Sequence, residues 1–255
     1  MLQASLSRRS AAAIVCVLSL LLSAPVLRAR SAADTFFSPS IEQFNSCGRA
    51  ITVERFDPYK GGRRPAVIIV HGSDGLGLHG QTYHDCAQLL ASNGYVAFIV
   101  HYYDATGDPG KVSLNTVHPE HFQAWMQTVS DAITYAQRQQ NVNSNRIGLM
   151  GFSLGGYVAL SVSTYDPRVR VVVDLFGGLP EQYTNGAGNM PPTMIIHGEG
   201  DKTVPVKEAY RLDKILSELG IQHELAIFPM QGHIFDDKAR NDAIERVRQF
   251  LSGKL

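Results

Sequence analysis

Neither sign of charge is in excess: 23 Lys and Arg are matched by 23 Asp and Glu, for a formal net charge of zero. Phosphate binding needs a basic face, so nucleic acid is not expected as a partner. No block of like charges marks an interaction tail, and there is no internal repeat or low-complexity tract. Cysteine is thin, at three residues, which leaves room for one disulfide at most. Long apolar runs are also missing. The longest near the start, residues 11–22, falls short of the roughly 20 residues that span a bilayer.

What that first stretch offers instead is a charged, then apolar, then small-residue pattern. Arg8 and Arg9 precede the run, Pro25, Arg28 and Arg30 follow it, and Ser31 and Ala33 sit where a signal peptidase cuts. Residues 1–33 are therefore expected to be a signal peptide, with secretion or a periplasmic location as the consequence. An uncleaved N-terminal anchor is the alternative. Cys16 leaves with that segment. Cys47 and Cys86 then either pair across an oxidised loop or, since Cys86 shares a helical stripe with Tyr83, Ala87 and Leu90, leave Cys86 as a buried core thiol.

Residues 34–48 read as a lead-in and residues 49–255 as one domain, a size ordinary for a single core. Residues 49–56 alternate like an edge strand with one wet face. Runs at 66–70, 95–100, 146–150, 169–173, 193–196 and 225–228 are continuously apolar, as parallel strands buried on both faces are. Helical periods lie between and after them, at 81–92, 122–139, 155–165, 206–219 and 237–251. The alternation predicts an α/β class: a doubly wound, mostly parallel sheet with helices on both faces. The Gly-, Asn- and Pro-rich loop 177–192 is expected near the sheet's carboxyl edge, where such sheets place ligands.

Gly151-Phe152-Ser153-Leu154-Gly155 has the form G-x-S-x-G. By composition alone that pattern arises in about one chain in ten of this length. Here a buried strand runs into it and a small-residue helix leaves it, which is the context a sharp nucleophile elbow requires. A serine hydroxyl needs a base, and the base an orienting acid. Asp201 follows the strand 193–196, and His233 follows the strand 225–228, so both project to the edge that displays Ser153. Glu199 and Asp174 are the alternative acids, and Asp201 alternatively caps the turn before Val204-Pro205. His197 reads as structural, too close to its strand end to reach Ser153. His79, His84, His118 and His121 have no full ligand set around them, so no metal is expected. The oxyanion donors are expected to be the backbone N–H groups of Leu154 and Ser73, with Gly72 and Asp74 as neighbours of the latter. Tyr102, Tyr103, Trp125 and Phe235 either line a pocket or, for at least two of them, belong to the core.

Taken together, VIIVHG at 67–72, GFSLGG at 151–156, HGEGDKTVP at 197–205 and GHIF at 232–235 resemble the dienelactone hydrolase family. The resemblance covers roughly residues 50–250 and implies an α/β-hydrolase fold. Asp201 and His233 are 32 residues apart, which leaves no room for a separate lid domain. Founding members of that family use a cysteine nucleophile, a glutamate in the oxyanion loop and arginines that grip a substrate carboxylate. This chain has Ser153 at the nucleophile, Gly72 where the glutamate stands, and Ile234-Phe235-Asp236-Asp237 after the histidine. The expectation is hydrolysis of a small, neutral carboxylic ester without cofactor or metal. A peptidase or amidase of the prolyl oligopeptidase-like type and a non-catalytic binding protein of the same fold are the alternatives.

Overall fold

The computed structural model describes residues 38–108, 110–113 and 116–255. The expected signal peptide, residues 1–33, and Cys16 lie outside the described residues.

Eight strands form one sheet: β1 (Ser40–Ser46), β2 (Arg49–Phe56), β3 (Arg64–Val70), β4 (Val96–Val100), β5 (Val142–Phe152), β6 (Val169–Leu175), β7 (Thr193–Gly198) and β8 (His223–Phe228). Their spatial order is β1-β2-β4-β3-β5-β6-β7-β8. The first two strands are antiparallel additions, and β4 through β8 run parallel with β3. Strand β1 falls in the stretch read as a lead-in. Its outward residues Ile41, Gln43 and Asn45 are exposed and its residues make no apolar run; pairing of Phe44 with Ile51 and of Ser46 with Arg49 holds it to β2.

Among the described residues five α-helices cover the sheet: α1 (Gly80–Ser92), α2 (Pro119–Gln137), α3 (Leu154–Ser163), α4 (Lys207–Glu218) and α5 (Asp237–Lys254). Successive residues of a buried strand serve opposite cores. Ile68 and Val70 of β3 join Trp125, Val129, Ile133, Val158, Leu212 and their neighbours on the face of α2, α3 and α4. Val67 and Ile69 join Tyr83, Ala87, Leu90, Val247 and Phe250 on the face of α1 and α5. This two-residue period explains why the strands are apolar throughout. Helix α5 begins where the Asp236 carboxylate accepts the Ala239 N–H at 2.8 Å, an N-cap contribution of about 1 kcal/mol. Among the described residues no helix is long and apolar enough to cross a membrane.

Chain order reverses at β3: its successor β4 lies on one side and β5 on the other. A switch of this kind opens a crevice at the strand carboxyl ends. The loop after β3 and the turn after β5 meet there.

The two cysteines among the described residues, Cys47 and Cys86, are free. Cys47 is exposed in the β1–β2 turn, whereas the Cys86 thiol packs 3.4 Å from the Met150 Sδ, and burial pushes its pKa up to about 12. Of the two readings open for Cys86, the core thiol is the one observed.

Candidate active site

Strand β5 ends in a turn that no ordinary side chain adopts cheaply. Ser153 has φ 54° and ψ −117°, a conformation worth about 1–3 kcal/mol of strain that must be held from outside. The holding contacts are specific. The Ser153 N–H donates to the Leu175 carbonyl at 2.8 Å, and the Ser153 carbonyl accepts from Gly156 at 2.9 Å. The glycines around it are spatial necessities. A Cβ on Gly155 would sit 2.1 Å from the Val70 carbonyl oxygen, and one on Gly151 would sit 2.3 Å from the Gly155 carbonyl oxygen.

The structure brings the three residues expected from chain order together. His233 Nε2 lies 3.0 Å from Ser153 Oγ, and His233 Nδ1 lies 2.7 Å from Asp201 Oδ2. A carboxylate only accepts, so Nδ1 carries the hydrogen and Nε2 presents its lone pair to the serine hydroxyl. Asp201 is itself fixed: its Oδ1 accepts the N–H groups of Thr203 at 2.8 Å and Val204 at 2.9 Å. Different oxygens of the one carboxylate thus cap the turn and meet His233. Its side chain is fully buried, while the imidazole of His233 is 23 % exposed, open toward solvent.

The rival acids sit elsewhere. Glu199 is exposed. Asp174 is buried beneath the elbow, against the backbone of Gly156 and Gly177. Burial pushes its carboxyl up to about 8, with the Gly177 N–H opposing. His197 is fully buried, and its Nε2 donates to the Val204 carbonyl at 2.9 Å. Burial lowers its pKa. It braces the loop that carries Asp201 and does not approach Ser153 by any contact.

Leu154 is the first residue of α3, so no helical carbonyl takes up its N–H. In the loop after β3, the Gly72 N–H donates to the Tyr83 hydroxyl at 2.9 Å and is therefore spent. Among the described residues no acceptor meets the Ser73 N–H, while the Ser73 carbonyl is pinned by Val112 N–H at 2.8 Å and the Tyr103 hydroxyl at 3.2 Å. Asp74 turns its carboxylate to His79 and Lys111. A Cβ on Gly72 would lie 3.2 Å from the Tyr83 hydroxyl and 3.5 Å from Ser153 Cβ, so any side chain there would press on the hydroxyl that accepts the Gly72 N–H. The contact of Tyr83 with the loop after β3 is not readable from the sequence, where Tyr83 is one member of a helical stripe. After His233, Asp236 is occupied as the cap of α5 and Ile234 is 72 % exposed.

Two hollows flank the site. A cleft of about 720 Å³ is lined by Leu154, Tyr157, Phe122, Tyr183, Val204 and others. A cavity of about 380 Å³ on the α1/α5 face is bounded by Phe152, Phe176, Phe235 and residues of those helices. Of the aromatics considered from sequence, Tyr102, Tyr103 and Trp125 are buried core, and Phe235 is buried at the edge of the smaller cavity. His71 stacks on Tyr102 at 4.2 Å, and burial lowers its pKa to about 4. Among the described residues, no group of three His, Cys, Asp or Glu side chains is arranged to hold a metal ion.

A parallel sheet with antiparallel strands at one edge, a strained serine turn at its switch point, and a histidine on the last loop define the α/β-hydrolase class. The dienelactone hydrolase family profile matches residues 51–251, and the chain belongs to that family. It is 27 % identical over 221 residues to the carboxymethylenebutenolidase homolog of Mus musculus, covering 78 % of this chain and 84 % of that one. Among solved structures it superposes on a dienelactone hydrolase-like promiscuous phosphotriesterase from metagenomic libraries, with a TM-score of 0.73 and 17 % identity over 86 % of this chain and 98 % of the other. It also superposes on the acylaminoacyl peptidase of Pyrococcus horikoshii, with a TM-score of 0.69 and 18 % identity, covering 86 % of this chain and 42 % of the peptidase. The chain is a hydrolase of the dienelactone hydrolase family.

Proposed function

We propose that this hydrolase cleaves neutral carboxylic esters through an acyl-enzyme on Ser153. The observation that carries the reading is the relay from Ser153 Oγ through His233 to Asp201, with spacings of 3.0 and 2.7 Å. In this scheme His233 Nε2 takes the serine proton as Oγ attacks the carbonyl carbon, and Asp201 stabilises the imidazolium. The N–H groups of Leu154 and Ser73 receive the charge that develops on the carbonyl oxygen. The alcohol leaves with the proton returned by His233, and water then hydrolyses the acyl-enzyme by the same relay.

The neutral character of the substrate rests on the cleft beside Leu154. Among the described residues no arginine lines it, and its Lys207 is offset by Glu208. An anion clamp is absent from that lining, so a carboxylate-bearing lactone is not the substrate proposed. The pattern at residues 8–33 supports export and a secreted or periplasmic location.

The test is turnover of p-nitrophenyl acetate and butyrate beside an acyl-peptide p-nitroanilide. Ester cleavage that falls by at least ~10³-fold in Ser153→Ala is expected. Equal turnover by the variant would remove the proposal, and faster anilide than ester cleavage would replace it with an amidase.

A further inference from the structure

Two hydrogen bonds fix the His233 imidazole, one at each ring nitrogen. Both run along nearly the same axis of the ring, so they leave the ring free to rock about that axis. A third contact supplies the missing constraint. The ring of Phe176 meets the imidazole edge-on, with centroids 5.6 Å apart and planes at 61°.

Phe176 reaches that place only by an unusual backbone. Its φ is +60°, a region that a bulky residue rarely enters. Such outliers persist where surrounding contacts over-determine them, and they gather at functional sites. Here the contacts are plain. The Phe176 N–H donates to the Ile196 carbonyl at 2.9 Å, one strand over, and its ring packs on Phe235 at 5.0 Å, which in turn packs on Phe228 at 4.8 Å. The residue just before it, Leu175, accepts the Ser153 N–H. Two consecutive residues at the end of β6 therefore hold both reacting partners: Leu175 the main chain of the nucleophile, and Phe176 the ring of the base.

From this geometry we infer that Phe176 is a positioning residue, which holds the plane of the His233 ring so that Nε2 stays aimed at Ser153 Oγ. The inference rests on the base role proposed for His233. Phe176 also lines the 380 Å³ cavity.

The experiment measures kcat, KM and melting temperature with p-nitrophenyl butyrate for the parent, Ser153→Ala, Phe176→Gly, Phe176→Leu and Phe176→Tyr. Glycine adopts a positive φ freely, so the turn survives while the ring is lost. Phe176→Gly is expected to lose about 10–100-fold in kcat, as small misplacements of reacting groups do, with KM within about threefold of the parent. Phe176→Tyr is expected to keep kcat within about threefold, and Phe176→Leu to fall between the two. An unchanged kcat in folded Phe176→Gly overturns the inference. So does a raised KM at constant kcat, which would make the ring a wall for substrate. If Phe176→Gly does not fold, Tyr retaining activity where Leu loses it supports the role, and equal activities overturn it. A parent that loses nothing on Ser153→Ala would instead overturn the function, a separate outcome.

Discussion

Among the described residues two carboxylates each meet two imidazoles, and they differ in what stands around them. Asp201 meets His233 at 2.7 Å and His197 at 3.4 Å. Glu54, on the antiparallel flank, meets His84 at 2.8 Å and His101 at 2.9 Å. Both acids are buried. The difference lies in what stands beyond the imidazoles. Past His233 there is a serine hydroxyl on a strained turn and two N–H groups without acceptors. Neither His84 nor His101 hands a proton on to a serine; both spend Nε2 on the glutamate. An acid–imidazole pair is therefore common structural material, and the reactive site is made by the backbone around it.

Removing each acid sharpens that contrast. Asp201→Asn is expected to lower kcat by about 10³–10⁴-fold, because an amide no longer holds His233 in the tautomer with Nε2 free. Glu54→Gln should leave kcat within about twofold and act on stability instead. Burial works to raise the Glu54 pKa, but the hydrogen bond from His101 and the charge of His84 prevail and lower it. A lowered folded-state pKa stabilises above the ordinary glutamate value and is lost as pH falls through the folded value. Melting curves of the parent should thus decline below about pH 4.5, and those of Glu54→Gln should decline less over the same range. A kcat loss in Glu54→Gln as deep as that in Asp201→Asn would erase the distinction.

The backbone half of the comparison is tested at Gly155. Alanine there would drive a Cβ to 2.1 Å from the Val70 carbonyl oxygen and 2.4 Å from that of His71. Both are main-chain atoms at the floor of the site and cannot swing away. A loss of about 3 kcal/mol or more is expected by denaturant titration, or failure to fold. Parent-like stability would mean that the elbow is not packed as described.

Asp174 gives the smallest effect, with the opposite sign. Its raised pKa, up to about 8 through burial, means that the folded state keeps a proton which the unfolded chain gives up. Stability conferred by that proton is complete below the ordinary aspartate value and declines as pH rises toward 8. Asp174→Asn mimics the protonated form. Its melting temperature is expected to exceed the parent's at pH 8, with the gap closing toward pH 4, and its kcat to remain near the parent's. A gap that widens on acidification would contradict this reading.

The strands were legible because continuous apolar runs announce burial on both faces, and the order Ser153, Asp201, His233 was legible because each follows such a run. The polar strand Ser40–Ser46 was not, since its place depends on pairing with β2 rather than on its own pattern. The sequence pointed to Ser73 in the loop after β3 but left Gly72 and Asp74 beside it. What its pattern did not carry is that the Tyr83 hydroxyl, on the next helix, takes the Gly72 N–H. Phe176 carried no signal at all: an aromatic before two glycines reads as a strand end, and its φ of +60° is set by Ile196 and Phe235. Local pattern speaks for elements; contacts between elements speak for the finer parts of the site.

The relay is tested most directly by covalent labelling with a fluorophosphonate, which reacts only with an activated serine. Intact mass and peptide mapping of the parent should show one adduct, on Ser153, formed far more slowly in His233→Ala. Labelling on another residue, or none in folded protein, would contradict the account.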